Sequence, residues 1–289
     1  MAALAACGAL ASCGGEPGTA ADVLPLLPRA ITEAEARLLD RGEQILLSRC
    51  MRRHGLRFWI VPTPKASQTA LHPYVVDDIG WAREHGYGRD LERRLARAAR
   101  ADPNRRYFAR LSPARRQVAL RALNGARPVG LQAHLPSGIV VRRSDSSCTS
   151  QAERELYRDL PAWFRANSVT QNLSGPRAAR VTVDPRFLRA IRRWAACMRA
   201  QGHRYSTPLQ ARAALTRPAA SQRSERQVAV AEARCAHQTG LSVTVERLDR
   251  RFGAIVNREF RSEIATARRL QLAALPRARA LAMSTAGHP

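Results

Sequence analysis

The chain has 289 residues, 45% of them apolar and 25% charged, the composition of a globular protein with one large domain or two small ones. This excludes disorder throughout, and because no uninterrupted apolar run approaches ~18 residues it also excludes a polytopic membrane protein. Charge is the unusual quantity: 48 basic residues stand against 23 acidic, net +25, and Lys65 is the one lysine.

A nearly pure arginine set fits a GC-rich coding sequence, so part of the excess is compositional. A solvated face is the plain reading of such charge. The functional reading is attraction to nucleic acid, anionic lipid or anionic wall polymer. Aromatic residues are only 5%, and neither an RNP-type string nor zinc-finger spacing is present, which argues against nucleic acid.

Residues 1–30 read as a signal or lipobox remnant followed by a flexible tether. Leu10-Ala11-Ser12-Cys13 fits a lipobox, in which small residues let the signal peptidase close on the backbone before the cysteine to be acylated. Leu4-Ala5-Ala6-Cys7 fits too, but only Cys13 is followed by a polar Gly-Gly-Glu-Pro stretch suited to a tether. The apolar stretch is short and has no positive n-region; a true start codon upstream of Met1 would account for both. With Cys13 acylated and Cys7 removed, Cys50, Cys148, Cys197 and Cys235 remain, an even number suited to two disulfides outside the cytoplasm. None lies in a C-x-x-C arrangement, so no metal site is expected.

Residues 31–167 are expected to form a first helical module. Thr32-x-x-Glu35 is a capping box opening a helix with Leu38, Leu39, Ile45, Leu46 and Cys50 on one side. That helix runs into Cys50-Met51-Arg52-Arg53-His54-Gly55-Leu56-Arg57-Phe58, and the second module repeats the pattern as Cys197-Met198-Arg199-Ala200-Gln201-Gly202-His203-Arg204-Tyr205. Pro62 and Pro208 lie beyond. The repeat places a cysteine in the last turn and a left-handed glycine stop, Gly55 or Gly202, after it. His54 and His203 do not recur in the repeat, so both read as surface imidazoles.

Next come a short helix behind Asp77-Asp78 that ends at Gly86-Tyr87-Gly88, a charged helix over 90–101, and starts at Asp102-Pro103 and Ser112-Pro113. The Asp77-Asp78 pair reads as a cap before it reads as acid–base chemistry. A minor hairpin is expected within 131–143, around Gly138-Ile139-Val140-Val141. Ser150-x-x-Glu153 reads as a second capping box, and Pro161 as the kink or end of its helix. Residues 168–180 read as a linker.

The second module, residues 181–289, opens with Asp184-Pro185 and the apolar face Phe187, Leu188, Ile191, Trp194 and Cys197. A helix over 224–238 carries Cys235, and one long helix over 242–275 follows it as a hairpin. The economical pairing is Cys50–Cys148 with Cys197–Cys235, one of three that four cysteines allow. The fold class is therefore mainly α: two disulfide-stapled helical halves with an internal repeat, a minor β-hairpin and a long C-terminal helix.

Taken in order, Cys-Met-x-x-x-Gly at Cys50, Gly-Tyr-Gly at Gly86, Asp-Pro-Asn-x-x-Tyr at Asp102, Leu111-Ser112, Ala-Leu-x-Gly at Ala122, Cys148 with Ala152 and Tyr157 behind it, Cys197-Met198 and Ala-x-x-x-Cys at Ala231 resemble a family of uncharacterised secreted lipoproteins of actinobacteria. The resemblance covers most of residues 44–260. It implies an exported, lipid-anchored, mainly helical protein and supplies no catalytic residue.

No G-x-S-x-G, H-E-x-x-H, Walker A or G-x-G-x-x-G string occurs, so no catalytic residue, metal or cofactor is assigned. The leading expectation is a non-enzymatic envelope lipoprotein with anionic lipid or wall polymer as its partner. A wall-modifying enzyme outside the cytoplasm, with its site between the halves, is the second. A cytoplasmic nucleic-acid binder is the third, and it requires an accidental lipobox and free thiols.

Overall fold

The structure, a computed structural model, describes residues 26–61, 72–217 and 221–286. Cys7 and Cys13, and with them the lipobox, lie outside the described residues, as does Pro62.

Local chemistry sets the helix ends. Thr32 and Glu35 form the capping box of α1 (Glu33–Arg53). Asp78 caps α2 (Ile79–His85) by accepting from the Trp81 amide. After α3 (Arg89–Ala101), Asp102 and Ser112, each followed by proline at N1, open α4 (Pro103–Arg110) and α5 (Pro113–Asn124). β1 (Gly130–His134) and β2 (Val140–Ser144) pair antiparallel, Gly130 opposite Ser144 and His134 opposite Val140. Then follow α6 (Cys148–Tyr157), α7 (Leu160–Thr170), α8 (Ser174–Val183) and α9 (Pro185–Ala200), the last capped by Asp184. The chain closes with α10 (Pro208–Leu215), α11 (Gln222–Gln238), α12 (Leu241–Glu259) and α13 (Arg261–Ala286).

The fold class is as the sequence predicts: helical, with one hairpin, the disulfides Cys50–Cys148 and Cys197–Cys235, and a long C-terminal helix. Four local expectations are corrected. Ser147, not Ser150, caps α6, because the Ser150 hydroxyl donates to the Ser144 carbonyl at 2.5 Å and Glu153 is held by Arg143. Pro161 begins α7 rather than ending α6, which stops at Arg158 with φ +71°. Residues 168–180 are the end of α7, one turn and most of α8, not an extended linker. The C-terminal run is two helices, broken at Phe260, and α13 continues through Pro276 to Ala286.

Packing does not follow a division at 168–180. One core joins α8, α9, α11 and α12 around Trp194, Met198 and Leu248, and it draws in Tyr74, Val75, Val76, Ala82 and Tyr87 from the first half of the chain. α13 crosses the other way. Its Ala274, Leu275 and Ala278 pack with Leu39 and Leu46 of α1 and with Leu156 and Trp163 of α6 and α7. The close crossing of α1 and α13 depends on small residues: a Cβ on Gly42 would lie 3.3 Å from the Cβ of Ala278. Each half thus supplies a segment to the other's core, which is why the hairpin expected of α11 with the whole C-terminal run holds only for α12.

Gly125 joins α5 to the hairpin at φ +84°, and a Cβ there would fall 2.2 Å from the Cβ of Ser144. Left-handed strain and a backbone-anchored clash act together, so Gly125→Ala is expected to destabilise the fold by about 3 kcal/mol. Urea unfolding of the purified variant measures the loss. Because the backbone conformation alone costs an alanine about 1–3 kcal/mol, a cost below about 1 kcal/mol would mean that both this strain and the Ser144 contact are relieved by local movement.

Candidate functional site

The repeat builds the same terminus twice. At the end of α1 the Gly55 amide donates to the Arg52 carbonyl and the Leu56 amide to that of Met51; at the end of α9, Gly202 donates to Arg199 and His203 to Met198. Both are Schellman closures, with the glycines at φ +67° and +82°. One turn before each stop, Cys50 reaches Cys148 with Cα atoms 5.5 Å apart, and Cys197 reaches Cys235 with Cα atoms 5.7 Å apart. Both separations lie near the usual disulfide spacing. Likeness extends to the partner helices. Gln151, three residues after Cys148, sets its Oε1 3.4 Å from the Cys50 sulfur; Gln238, three after Cys235, stands 3.3 Å from that of Cys197.

His54 brings an imidazole within 4.8 Å of the Cys50 and Cys148 sulfurs. Metal binding by cysteine needs thiolates, and both sulfurs are engaged in the disulfide. The group therefore offers one exposed imidazole nitrogen.

The sequence reading missed a pair of buried carboxylates on α11. Glu225 and Glu232 lie seven residues apart on its inward face, both completely buried. They bind backbone amides on either side of α2. Glu232 accepts from the Val76 amide at 2.7 Å and from the Tyr87 hydroxyl at 2.7 Å. Glu225 accepts from the Tyr87 amide at 2.9 Å and lies 3.6 Å from the Arg89 guanidinium. Gly86 is needed here because a Cβ at its φ of +61° would sit 2.9 Å from the Glu225 Cγ. The Gly-Tyr-Gly motif thus closes over a carboxylate. Burial raises the Glu232 carboxyl to about 7 despite both donors, and raises Glu225 as well.

A second carboxylate–tyrosine pair stands in the other core. The Tyr157 hydroxyl donates to Glu43 at 2.5 Å, and the Tyr157 ring stacks on Trp163 with centroids 3.6 Å apart. Burial raises Glu43 to about 7 as well. Beside it Arg143 of β2 makes a two-pronged bond to Glu153 and lies over the Phe164 ring, fixing the hairpin to α6 and α7.

Asp77 and Asp78 divide their work. Asp78 is the cap; the Asp77 carboxylate lies 3.2 Å from the His72 ring, whose hydrogen bond holds it below the usual range. His237 meets the Asp77 carbonyl, and Trp81 packs edge-on to His72. The two carboxylates serve separate partners. Flanking the N-terminal turn of α13 is a groove of about 370 Å³ with Arg165, Arg269, His134 and Glu263 in its wall. Glu263 there accepts from Ser262, and His134 faces Gln132.

A carboxylate on an apolar stripe was the available signal: Glu225, Val228, Glu232 and Cys235 keep three/four spacing along one helix face. No protein-family model matches the chain, and no curated protein and no solved structure is similar to it.

Proposed function

We propose that the chain is an exported, lipid-anchored envelope protein whose helical body is a non-enzymatic binding or structural module. One observation supports it above the others: every cysteine among the described residues is paired in a disulfide. Such pairing persists in oxidising compartments and is rare in a reducing cytosol. No helix among the described residues is long and apolar enough to cross a membrane, so on this reading attachment falls to an acyl chain on Cys13, with Cys7 the alternative site. The chain's partners are then anionic lipid or wall polymer. Glu225 and Glu232 hold the backbone laid over α11, which fits a structural body.

Peptide and intact mass spectrometry of protein purified from its native host without reductant tests the proposal. The expected result is a diacylated Cys13 at the mature N-terminus, with cross-linked peptides joining Cys50 to Cys148 and Cys197 to Cys235. An unprocessed Met1 with Cys50, Cys148, Cys197 and Cys235 all free thiols would overturn it and move the protein into the cytoplasm, with nucleic acid as the partner its charge suggests.

A further inference from the structure

The stretch from α3 to the end of α5 behaves unlike the rest of the chain. Residues 89–127 hold twelve arginines against Asp90, Glu92 and Asp102 as acids, a net charge of +9. α3 and α4 bury no residue at all, and α5 buries only Ala119. Helices in a folded protein are ordinarily held by an apolar face against a core. Here α3 has such a face, Leu91, Leu95, Ala98 and Ala99 at positions i, i+4, i+7 and i+8, yet Leu91 and Leu95 are only half-buried and belong to none of the cores. Arg93, Arg97 and Arg100 line the opposite side.

Exposed apolar groups lie among these charges. Val118 and Leu120 of α5 face solvent, as do Trp59 and Ile60 beside α4. Trp59 is held in place, not loose. Its backbone is bonded in both directions by the Asn104 side chain at 2.8 and 2.9 Å, and its ring meets Tyr107 edge-on at 5.5 Å. Among the described residues, Arg97, Arg100, Arg105 and Arg106 enter no ion pair.

We infer that the α3–α5 arm is the surface by which the protein docks on an anionic phospholipid bilayer. Its arginines meet the headgroup phosphates, and Trp59, held by Asn104 and Tyr107, sits at headgroup level. Interfacial segments combine these features: a basic face, an apolar face of modest size and a tryptophan at headgroup level. A nucleic-acid surface would instead present a row of open ring faces along a basic groove, whereas in this arm Trp59, Tyr107 and Phe108 meet edge to face in two successive pairs, with Phe108 packed on a core, and the exposed aliphatic side chains have no role against a sugar–phosphate strand. The inference deepens the proposed envelope role and rests on it for the choice of a bilayer as the anionic surface.

The test uses the full chain made unacylated by Cys7→Ser and Cys13→Ser, with both disulfides formed, sedimented with vesicles of phosphatidylglycerol or of phosphatidylcholine. Two variants of equal net charge are compared. One carries Arg97→Gln, Arg100→Gln, Arg105→Gln and Arg106→Gln in the arm. The other carries Arg189→Gln, Arg192→Gln, Arg199→Gln and Arg247→Gln on exposed turns of α9 and α12. Thermal melts confirm that each is folded. The expected result is salt-sensitive binding to phosphatidylglycerol alone, weakened on the order of 100-fold in the arm variant and by no more than about threefold in the control. Equal loss in both variants, equal binding to phosphatidylcholine, or arm-dependent binding to a single-stranded oligonucleotide without vesicle binding would each overturn it. Acylation plays no part in this assay, so its failure leaves the mass-spectrometric test of anchoring standing, and the reverse also holds.

Discussion

Replacing Cys50 and Cys148 by alanine lowers the unfolding free energy by about 4–5 kcal/mol, and replacing Cys197 and Cys235 lowers it by about 4 kcal/mol. The ordering follows from loop length, 98 residues against 38, because a longer closed loop removes more entropy from the unfolded chain. Native context points the same way. Cys197–Cys235 joins α9 to α11 inside a core that already contains Trp194, Met198, Val228 and Leu241. Cys50–Cys148 ties the end of α1 to the first turn of α6 within a smaller cluster of five buried residues. Domains are stable by only about 5–15 kcal/mol, so either loss is a large share of the whole. Guanidinium unfolding of the two double variants beside the wild type measures both. A greater loss on removing Cys197–Cys235 would mean that packing at the α9–α11 contact, and not restriction of the unfolded chain, governs what the bridges contribute.

What could be read from the sequence was read where the physics is local. Asp102-Pro103, Ser112-Pro113 and Asp184-Pro185 each set a cap acceptor beside a proline whose missing N–H costs nothing at N1, and each opens a helix as expected. Gly55 and Gly202 stop their helices because only glycine enters the left-handed region without strain. Ser150 failed for a non-local reason. It and Ser147 compete as caps with similar local chemistry, and the choice is made by the carbonyl of Ser144 and by Arg143, both brought there by the hairpin. Ser174-Gly175-Pro176 has a turn composition, yet proline in a first turn is also a helix start, and that use prevailed.

The exchange of segments between the two cores had no local signal. α13 reads as one more amphipathic helix, and its choice of α1 as partner is made by Gly42 meeting Ala278 and by Arg277 donating to the Leu156 carbonyl at 2.7 Å. The four cysteines were visible as a disulfide set. The buried carboxylates were not, since a glutamate on a helix is ordinarily solvated and its burial depends on what is laid over it. Gly86-Tyr87-Gly88 was visible as a pattern; its reason, a backbone pressed against Glu225 and a hydroxyl reaching Glu232, needed α11 beside it.

Those carboxylates give the molecule an unusual dependence on acidity: its melting temperature is highest near pH 5 and falls by several degrees toward pH 8. Glu232 and Glu43 both titrate near 7 in the fold, against an ordinary value of 4.5. A folded state that holds protons more tightly than the unfolded one is favoured below about 4.5 and loses that advantage as pH rises through 7. Burial is the cause in each case, and it outweighs the Val76 and Tyr87 donors, with Arg212 and His72 nearby, at Glu232 and the Tyr157 donor at Glu43. Glu35 and Asp184 act in the opposite sense. Held at about 2, chiefly by hydrogen bonds from Arg29 and Arg186, they stabilise above the ordinary carboxylate range and fail only as pH falls well below it. The two opposing sets leave a maximum between them. From pH 5 to pH 8 the combined loss is expected to be on the order of 2–4 kcal/mol, or about 5–10 °C for a chain of this size. Glu232→Gln should remove about half of the slope. Its amide oxygen can still accept from Val76, while its NH₂ faces the Tyr87 oxygen and no longer titrates. Differential scanning calorimetry of wild type and variant across this range decides the matter. A melting temperature that rises from pH 5 to pH 8, or a slope indifferent to Glu232→Gln, would mean that these carboxylates are ionised in the fold and stabilised by the donors around them.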